Sequence, residues 1–160
     1  MSCVITIDGT LPRSFGLAKA ELKSAAQYFA ERSSARVGVA FREVTIILQD
    51  DEASDEAHRA IMDVAGATDV ITQGYDAMPG EPEGVYGELY VNFDRALSAA
   101  PSRKGWSPTK ELLLYVAHGM DHLSGADDHS SRDYALMRRR ELSWLSRICR
   151  RSQTSASKVR

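Results

Sequence analysis

The chain has 160 residues, 43% of them hydrophobic and 26% charged, which is typical of a soluble globular protein. No apolar run approaches the roughly 18 residues of a membrane span, and the N-terminal residues lack the basic and long apolar regions of a signal peptide. The two cysteines, Cys3 and Cys149, lie near opposite ends and do not suggest a disulfide framework, so we expect the protein in the reducing cytoplasm.

The first half of the chain alternates strand and helix patterns. Residues 3–8 alternate in polarity and predict a short strand, and residues 17–31 place apolar side chains on one helical face. Residues 44–48 are rich in β-branched side chains and predict a buried strand. Residues 52–64 predict a helix, because their acidic first turn suits the helix dipole.

The middle of the chain continues with short strands separated by loops. Another strand begins at residues 70–72, and residues 87–92 form the next. Residues 75–84 contain two Pro and two Gly and predict a loop, as do residues 99–106. This order of elements predicts an α+β fold, in which a small mixed β-sheet is packed with helices.

The next helix has clear start and stop signals. Ser107 is a suitable N-cap and Pro108 a suitable first residue, while Gly125 allows a sharp exit. Apolar residues recur along one face and a second stripe carries polar groups. The apolar face contains Leu112, Val116, Met120 and Leu123, and the second stripe contains Tyr115, His118 and His122.

Three of the four histidines fall within twelve residues at the end of this helix. His118 and His122 are four residues apart, so they project from one helical face a single turn apart. After Gly125 the chain can bring His129 back towards the pair. Three neutral imidazoles with a fourth position left for water are a ligand set of catalytic zinc, so we predict one zinc ion per chain on these three residues.

The histidine run also resembles the signature of the YbeY family, bacterial rRNA maturation factors that are single-strand-specific, metal-dependent endoribonucleases. The similar pattern is His118-Gly119-x-x-His122-Leu123-x-Gly125, followed by Asp and His. Residues 68–72 resemble the TDVLSF segment of the family, and residues 87–91 its GDI strand. Met137 and Glu141 resemble a Met-x3-Glu pattern in the last helix. The resemblance covers roughly residues 44–142 and implies a central metal-binding helix.

Two departures from the family pattern concern the metal site. The usual third His follows the first by ten residues, where this chain has Asp128, with His129 one residue later. Either residue is a competent zinc ligand, and we favour His129 because a carboxylate would lower the charge of the site. In addition, Asp121 stands where the family usually has Leu.

A third departure concerns activity. The family carries an Arg six residues before its TDV segment, and this chain has Met62 there, with Arg59 one helical turn earlier as a catalytic candidate.

The resemblance implies a zinc-dependent endoribonuclease that cleaves single-stranded RNA in rRNA maturation and ribosome quality control. It also implies the small ribosomal subunit or its proteins as partners. The alternative is a ribosome assembly factor with structural zinc and little cleavage activity. Gly119 replaces the Glu of the H-E-x-x-H peptidase motif, which argues against a peptidase.

The C-terminal segment is basic, with nine Lys or Arg against two Asp or Glu from residue 132 onwards. Ser131 is a candidate cap for a last helix. Its predicted core residues are Leu136, Met137, Leu142, Trp144, Leu145 and Ile148. Arg138, Arg139 and Arg140 are the RNA-binding candidates, because arginines can neutralise phosphates. Residues 1–150 are predicted to form one domain and residues 151–160 a disordered basic tail. We interpret His58 as a surface residue.

Overall fold

The computed structural model describes residues 2–157, and their side chains as far as residue 152. Four strands form one sheet in this part of the chain: β1 (Val4–Asp8), β2 (Phe41–Gln49), β3 (Val70–Tyr75) and β4 (Val85–Asn92). Their order in the sheet is β1-β2-β4-β3. β2 pairs in parallel with both β1 and β4, whereas β3 pairs antiparallel with β4. The predicted mixed sheet of an α+β fold is therefore confirmed.

Five α-helices accompany the sheet in the described chain. They are α1 (Lys19–Val37), α2 (Asp51–Met62), α3 (Phe93–Ala99), α4 (Pro108–Leu123) and α5 (Ser131–Ser157). α1 continues beyond the predicted end at residue 31 and stops at Gly38, whose φ of 71° suits a left-handed cap. The sequence did not predict α3, because its seven residues are too few to show the 3.6-residue period of an amphipathic helix. Asn92 caps this helix by accepting a hydrogen bond from the Arg95 backbone N–H at 3.1 Å.

α4 is the central helix, since it packs against β3, β4, α1, α3 and α5. Its apolar face is buried as predicted, with Leu112, Val116 and Met120 fully inaccessible to solvent. Gly119 lies against the sheet, where an added Cβ would come within 2.7 Å of the Leu89 side chain. A glutamate at position 119 would therefore have no space, which fits the absence of a peptidase motif at this place.

Local signals account for both ends of α4. The Ser107 hydroxyl accepts a hydrogen bond from the Lys110 backbone N–H at 3.1 Å, and Pro108 is the first helical residue. Gly125 has a φ of 89°, and its N–H donates to the His122 carbonyl at 2.9 Å. The helix thus ends at Leu123, one residue after His122, and the chain turns back towards the histidine pair.

The start of α5 differs from the prediction by one residue. Ser130, rather than Ser131, is the cap, because its hydroxyl oxygen accepts a hydrogen bond from the Asp133 backbone N–H at 3.0 Å. The same hydroxyl donates to the Asp133 carboxylate at 2.6 Å. This reciprocal pair satisfies one of the free N–H groups at the helix end.

Part of the predicted core face of α5 is exposed. Met137, Trp144 and Leu145 are buried, but Leu136 and Leu142 are 51% and 37% exposed, so their assignment to the core was wrong. The reason is that α5 touches α4 and α1 along a narrow stripe.

The tail differs from the prediction as well. α5 continues to Ser157, so residues 151–157 are helical where the sequence predicts disorder, and residues 158–160 lie outside the described residues. Among the described helices, none combines the length and the apolar character that crossing a bilayer requires.

Candidate metal centre

Three ligand atoms converge at the C-terminal end of α4. The Nε2 atoms of His118 and His122 lie 3.0 Å apart, and Asp128 Oδ2 lies 3.7 Å from the first and 3.5 Å from the second. A tetrahedral zinc with bonds of about 2.0–2.1 Å separates its ligand atoms by about 3.3–3.4 Å. The observed spacings are close to that value, so these three side chains fit a single ion.

Hydrogen bonds on the far side of each ring orient the two imidazoles. His118 Nδ1 donates to Glu141 Oε1 at 2.7 Å, and His122 Nδ1 donates to the Ala126 carbonyl at 3.1 Å. Because Nδ1 carries the proton in both rings, the lone pair of each Nε2 is directed towards the shared position. This pairing of imidazoles with a carboxylate and a backbone carbonyl is characteristic of metal-ligating histidines.

Glu141 brings a buried negative charge to the base of the site. Its carboxylate is fully inaccessible to solvent, and Arg138 Nη1 lies 3.4 Å from its second oxygen. Burial lowers the pKa of His118, but the hydrogen bond and the charge of Glu141 outweigh burial and raise the pKa above its ordinary value. The buried negative charge of Glu141 therefore favours a cation bound to the neutral His118 ring, with which a proton on Nε2 would compete.

Asp121, the residue before His122 on α4, makes a second buried ion pair. Arg140 Nε and Nη2 donate to Asp121 Oδ2 at 3.0 and 2.6 Å, and Arg36 Nη2 lies 3.4 Å from Oδ1. Burial raises the pKa of Asp121 despite the opposing effect of Arg140. Asp121 therefore joins α1, α4 and α5 and does not face the candidate metal position.

The structure brings Asp128, and not His129, to the histidine pair. The His129 side chain is 91% exposed, and its Nε2 lies 3.4 Å from the Asp127 carboxylate. Its backbone N–H also donates to Asp127, at 2.9 Å. Neighbouring side chains in this irregular segment project to different sides, so only one of positions 128 and 129 can face the pair. Which residue turns inwards depends on the path of the segment after Gly125, which residue spacing alone does not specify.

A cleft of about 420 Å³ lies beside the histidine pair, between α2, β3 and the end of α4. Its lining residues are His58, Met62, Thr68, Val70, Ile71, Thr72, Gly74, His122 and Leu123. His58 is half-buried in this wall, and its Nδ1 donates to the Gly66 carbonyl at 2.7 Å. His58 is thus a surface residue, as interpreted from the sequence, and it also forms part of the cleft wall. The sequence signal for its place in the cleft wall is the four-residue spacing between His58 and Met62, which puts both side chains on one face of α2.

Arg59 does not reach the cleft. Its Nε donates to both oxygens of Asp55, at 3.0 and 3.1 Å, on the exposed side of α2. Met62 does line the cleft, at the position where the resemblance suggested an arginine. Among the residues that line this cleft, His58 and His122 are the titratable ones.

The three candidate RNA-binding arginines point in different directions. Arg138 and Arg140 face the buried carboxylates of Glu141 and Asp121, respectively. Arg139 is exposed to solvent. Consecutive helical residues are about 100° apart, so a triplet on α5 cannot present one basic surface. The structure therefore leaves Arg139 as the one exposed member of the triplet.

Comparison with solved structures supports the fold. The solution structure of the protein TM1509 from Thermotoga maritima matches 97% of this chain and 95% of its own chain, with a TM-score of 0.62. The two sequences are 22% identical, so this likeness concerns the fold alone.

Sequence relatives bear the name Endoribonuclease YbeY. The protein of that name from Rhodopirellula baltica is 35% identical over 127 residues, which are 79% of this chain and 59% of the relative. The Kineococcus radiotolerans protein is 30% identical over 161 residues, which cover 94% of this chain and 90% of the relative. This chain matches between 51% and 57% of the length of several other relatives of this name.

The family model described as Endoribonuclease YbeY matches residues 13–149, which include α4, the two histidines and Asp128. The family match begins after β1 and extends almost to the end of the described side chains. It therefore covers both the candidate metal centre and the cleft beside it. On this match, the chain belongs to the endoribonuclease YbeY family.

Proposed function

We propose that the protein is a zinc-dependent endoribonuclease with His118, His122 and Asp128 as its metal ligands. The observation that carries this proposal is the convergence of three ligand atoms at 3.0, 3.5 and 3.7 Å beside an open cleft. When bound, such an ion supplies Lewis acidity, which activates water and stabilises charge that develops on phosphate oxygens. His129, favoured from the sequence, is replaced in this proposal by Asp128.

The number of ligands favours a catalytic role over a structural one. Structural zinc sites are closed by four protein ligands, whereas catalytic sites have three and leave one position for water or substrate. Three side chains of the described chain converge here, and His122 is also part of the cleft wall. Glu141 and the Ala126 carbonyl keep the imidazoles oriented, so the site is prepared before an ion or substrate binds.

The cleft suits a single strand of RNA. A volume of about 420 Å³ is in the range of sites for small ligands, so it accommodates a nucleotide or two but not a duplex. His58 is suited to contact the RNA, because its Nδ1 donates to Gly66 and its Nε2 remains to accept a hydrogen bond from a ribose hydroxyl. The name endoribonuclease that relatives carry supports RNA as the substrate. From the resemblance of the histidine run to a family of rRNA maturation factors, we extend the proposal to ribosomal RNA in the cytoplasm, with the small ribosomal subunit as its context.

The test combines metal analysis with RNA cleavage. Purified protein should contain about one zinc per chain and should cleave an unstructured RNA, with activity lost on chelation and restored by zinc. A paired hairpin of the same length should resist cleavage. Protein that holds zinc but leaves unstructured RNA intact would overturn the enzymatic proposal and favour an assembly factor.

Two matched variants test the ligand set. Asp128→Asn should release most of the zinc, because an amide is a poor replacement for a carboxylate ligand. His129→Gln should keep it, because this imidazole points to Asp127 and solvent. The reverse pattern, with zinc retained in Asp128→Asn and lost in His129→Gln, would contradict the assignment.

A further inference from the structure

A second cleft, which we call the arginine groove, lies between α1 and α5, away from the metal centre. It has a volume of about 320 Å³. Its lining residues are Tyr28, Glu31, Arg32, Arg147, Arg150 and Arg151. Four arginines against one glutamate give it a strongly positive character, although the chain as a whole has a net charge of −2.

Three arginines of α1 and α5 outside the groove are neutralised within the protein. Arg36 and Arg140 pair with Asp121, and Arg138 pairs with Glu141. Among the described side chains, by contrast, no ion pair within 4.0 Å involves the groove residues Arg32 and Arg147. These charges repel one another in the free protein, so an external anion that entered the groove would relieve the repulsion.

The groove also holds a buried donor. Arg32 Nε is inaccessible to solvent and has no hydrogen-bond partner among the side chains that the structure describes. A buried donor without a partner costs free energy, which a bound acceptor would recover. The donor therefore points to a ligand that carries hydrogen-bond acceptors as well as negative charge.

Tyr28 holds two of the guanidinium groups in place. The Arg32 guanidinium carbon lies 5.8 Å from the Tyr28 ring centroid, and that of Arg151 lies 5.2 Å from it. Stacking of this kind reduces the freedom of long side chains and leaves the planar N–H edges available. Such edges match the paired oxygens of a phosphate group.

We propose that the arginine groove binds the phosphodiester backbone of single-stranded RNA. This proposal rests on the proposed endoribonuclease function and extends its RNA contacts beyond the cleft. Arg147 and Arg151 follow Glu141 by six and ten residues, so they lie about 9 and 15 Å further along α5. At that distance the groove contributes affinity for the strand and takes no part in the chemistry at the metal ligands.

The experiment compares two double variants that remove the same charge. Arg32→Gln with Arg147→Gln alters the groove, whereas Arg13→Gln with Arg132→Gln alters exposed arginines outside it. Binding of the metal-containing full chain to a fluorescent 2′-O-methyl RNA of 20 nucleotides is followed by anisotropy at several salt concentrations. A gel confirms that the RNA stays intact, and thermal melting confirms that each variant is folded.

The groove variant should bind about tenfold more weakly than the wild type at 100 mM salt. Its logarithmic salt slope should be smaller by about 1.4, since each phosphate contact on a single strand contributes roughly 0.7. The control variant should change affinity by less than about twofold. Equal losses of RNA affinity in the two variants would overturn the proposal, because general charge attraction would then explain both. Unchanged RNA affinity in the groove variant would also overturn it, and the groove would then suit an acidic protein partner instead.

The test of RNA binding by the groove can be distinguished from the test of the proposed endoribonuclease function. Saturating amounts of a short RNA that fills only the cleft should be cleaved at the wild-type rate by the groove variant. A wild-type protein that binds RNA through the groove but cleaves none would reject the endoribonuclease proposal and leave the groove proposal standing.

Discussion

Asp121 on α4 and Arg140 on α5 form a buried ion pair, in which Arg140 Nη2 lies 2.6 Å from Asp121 Oδ2. The next residue of α5 is Glu141, whose carboxylate accepts the hydrogen bond from His118. The ion pair therefore sets the register of α5 against α4 and so positions the carboxylate that orients a candidate ligand.

The Asp121–Arg140 pair provides the first prediction. Asp121→Leu should lower the free energy of unfolding by about 3–5 kcal/mol, because it leaves a partly buried guanidinium without its carboxylate. The double variant Asp121→Leu with Arg140→Leu should recover most of that loss, since an apolar pair of similar volume avoids the desolvation cost. Urea denaturation measures both values. A single variant as stable as the wild type would show that the pair contributes nothing to stability.

Glu141 should control metal affinity through His118. Glu141→Gln keeps the shape but removes the charge, and we expect zinc affinity to fall by about 10- to 100-fold. Competition with a chromogenic chelator measures this change. Glu111→Gln is the matched control, because Glu111 is also a buried carboxylate but lies in the first turn of α4 and accepts a hydrogen bond from Trp106. Equal losses of affinity in the two variants would mean that general destabilisation, and not the His118 contact, is responsible.

His58 should affect RNA cleavage without affecting zinc. His58→Gln removes the imidazole Nε2 from the cleft wall, and we expect kcat/KM on unstructured RNA to fall about tenfold or more, which corresponds to the loss of one substrate contact. Zinc content should remain at the wild-type level, because His58 is not among the converging ligand atoms. Glu56→Gln, on an exposed position of the same helix, is the control. Wild-type kinetics in His58→Gln would remove His58 from the site.

Cys3 should be unreactive in the folded protein. Burial, followed by the charge of Glu43, raises the pKa of the Cys3 thiol from 9.0 to about 11. The thiolate is the reactive form, so at pH 8 the folded protein should alkylate at Cys3 about 100-fold more slowly than the urea-unfolded chain. Mass spectrometry of iodoacetamide-treated protein follows the reaction. Similar rates in the folded and unfolded states would contradict the burial of Cys3.

The same pKa shift has a consequence for stability. Because the pKa is higher in the folded state, the folded protein holds the thiol proton more tightly than the unfolded chain does. This contribution is fully present below pH 9 and is lost as the pH rises towards 11. The free energy of unfolding should therefore decline over that interval. In Cys3→Ala the part of the decline that comes from this thiol should disappear.

The sequence by itself determined the features that depend on neighbours along the chain. The four-residue spacing of His118 and His122 places them on one face of any helix, and Ser107 and Gly125 supply the local hydrogen bonds and backbone freedom that begin and end that helix. For the same reason the strands were recognisable from short β-branched or alternating segments. These features require no knowledge of distant residues.

The tertiary structure decided which side chains meet across elements. Asp128 instead of His129 faces the pair because of the path that the chain takes after Gly125. His58 faces the cleft because the fold brings α2, β3 and the end of α4 around it. Arg140 is neutralised by Asp121, which α5 reaches only when it packs on α4, whereas Arg32 and Arg147 meet in a groove that α1 and α5 form together. The charge of a residue can be read from the sequence, but its partner depends on long-range packing.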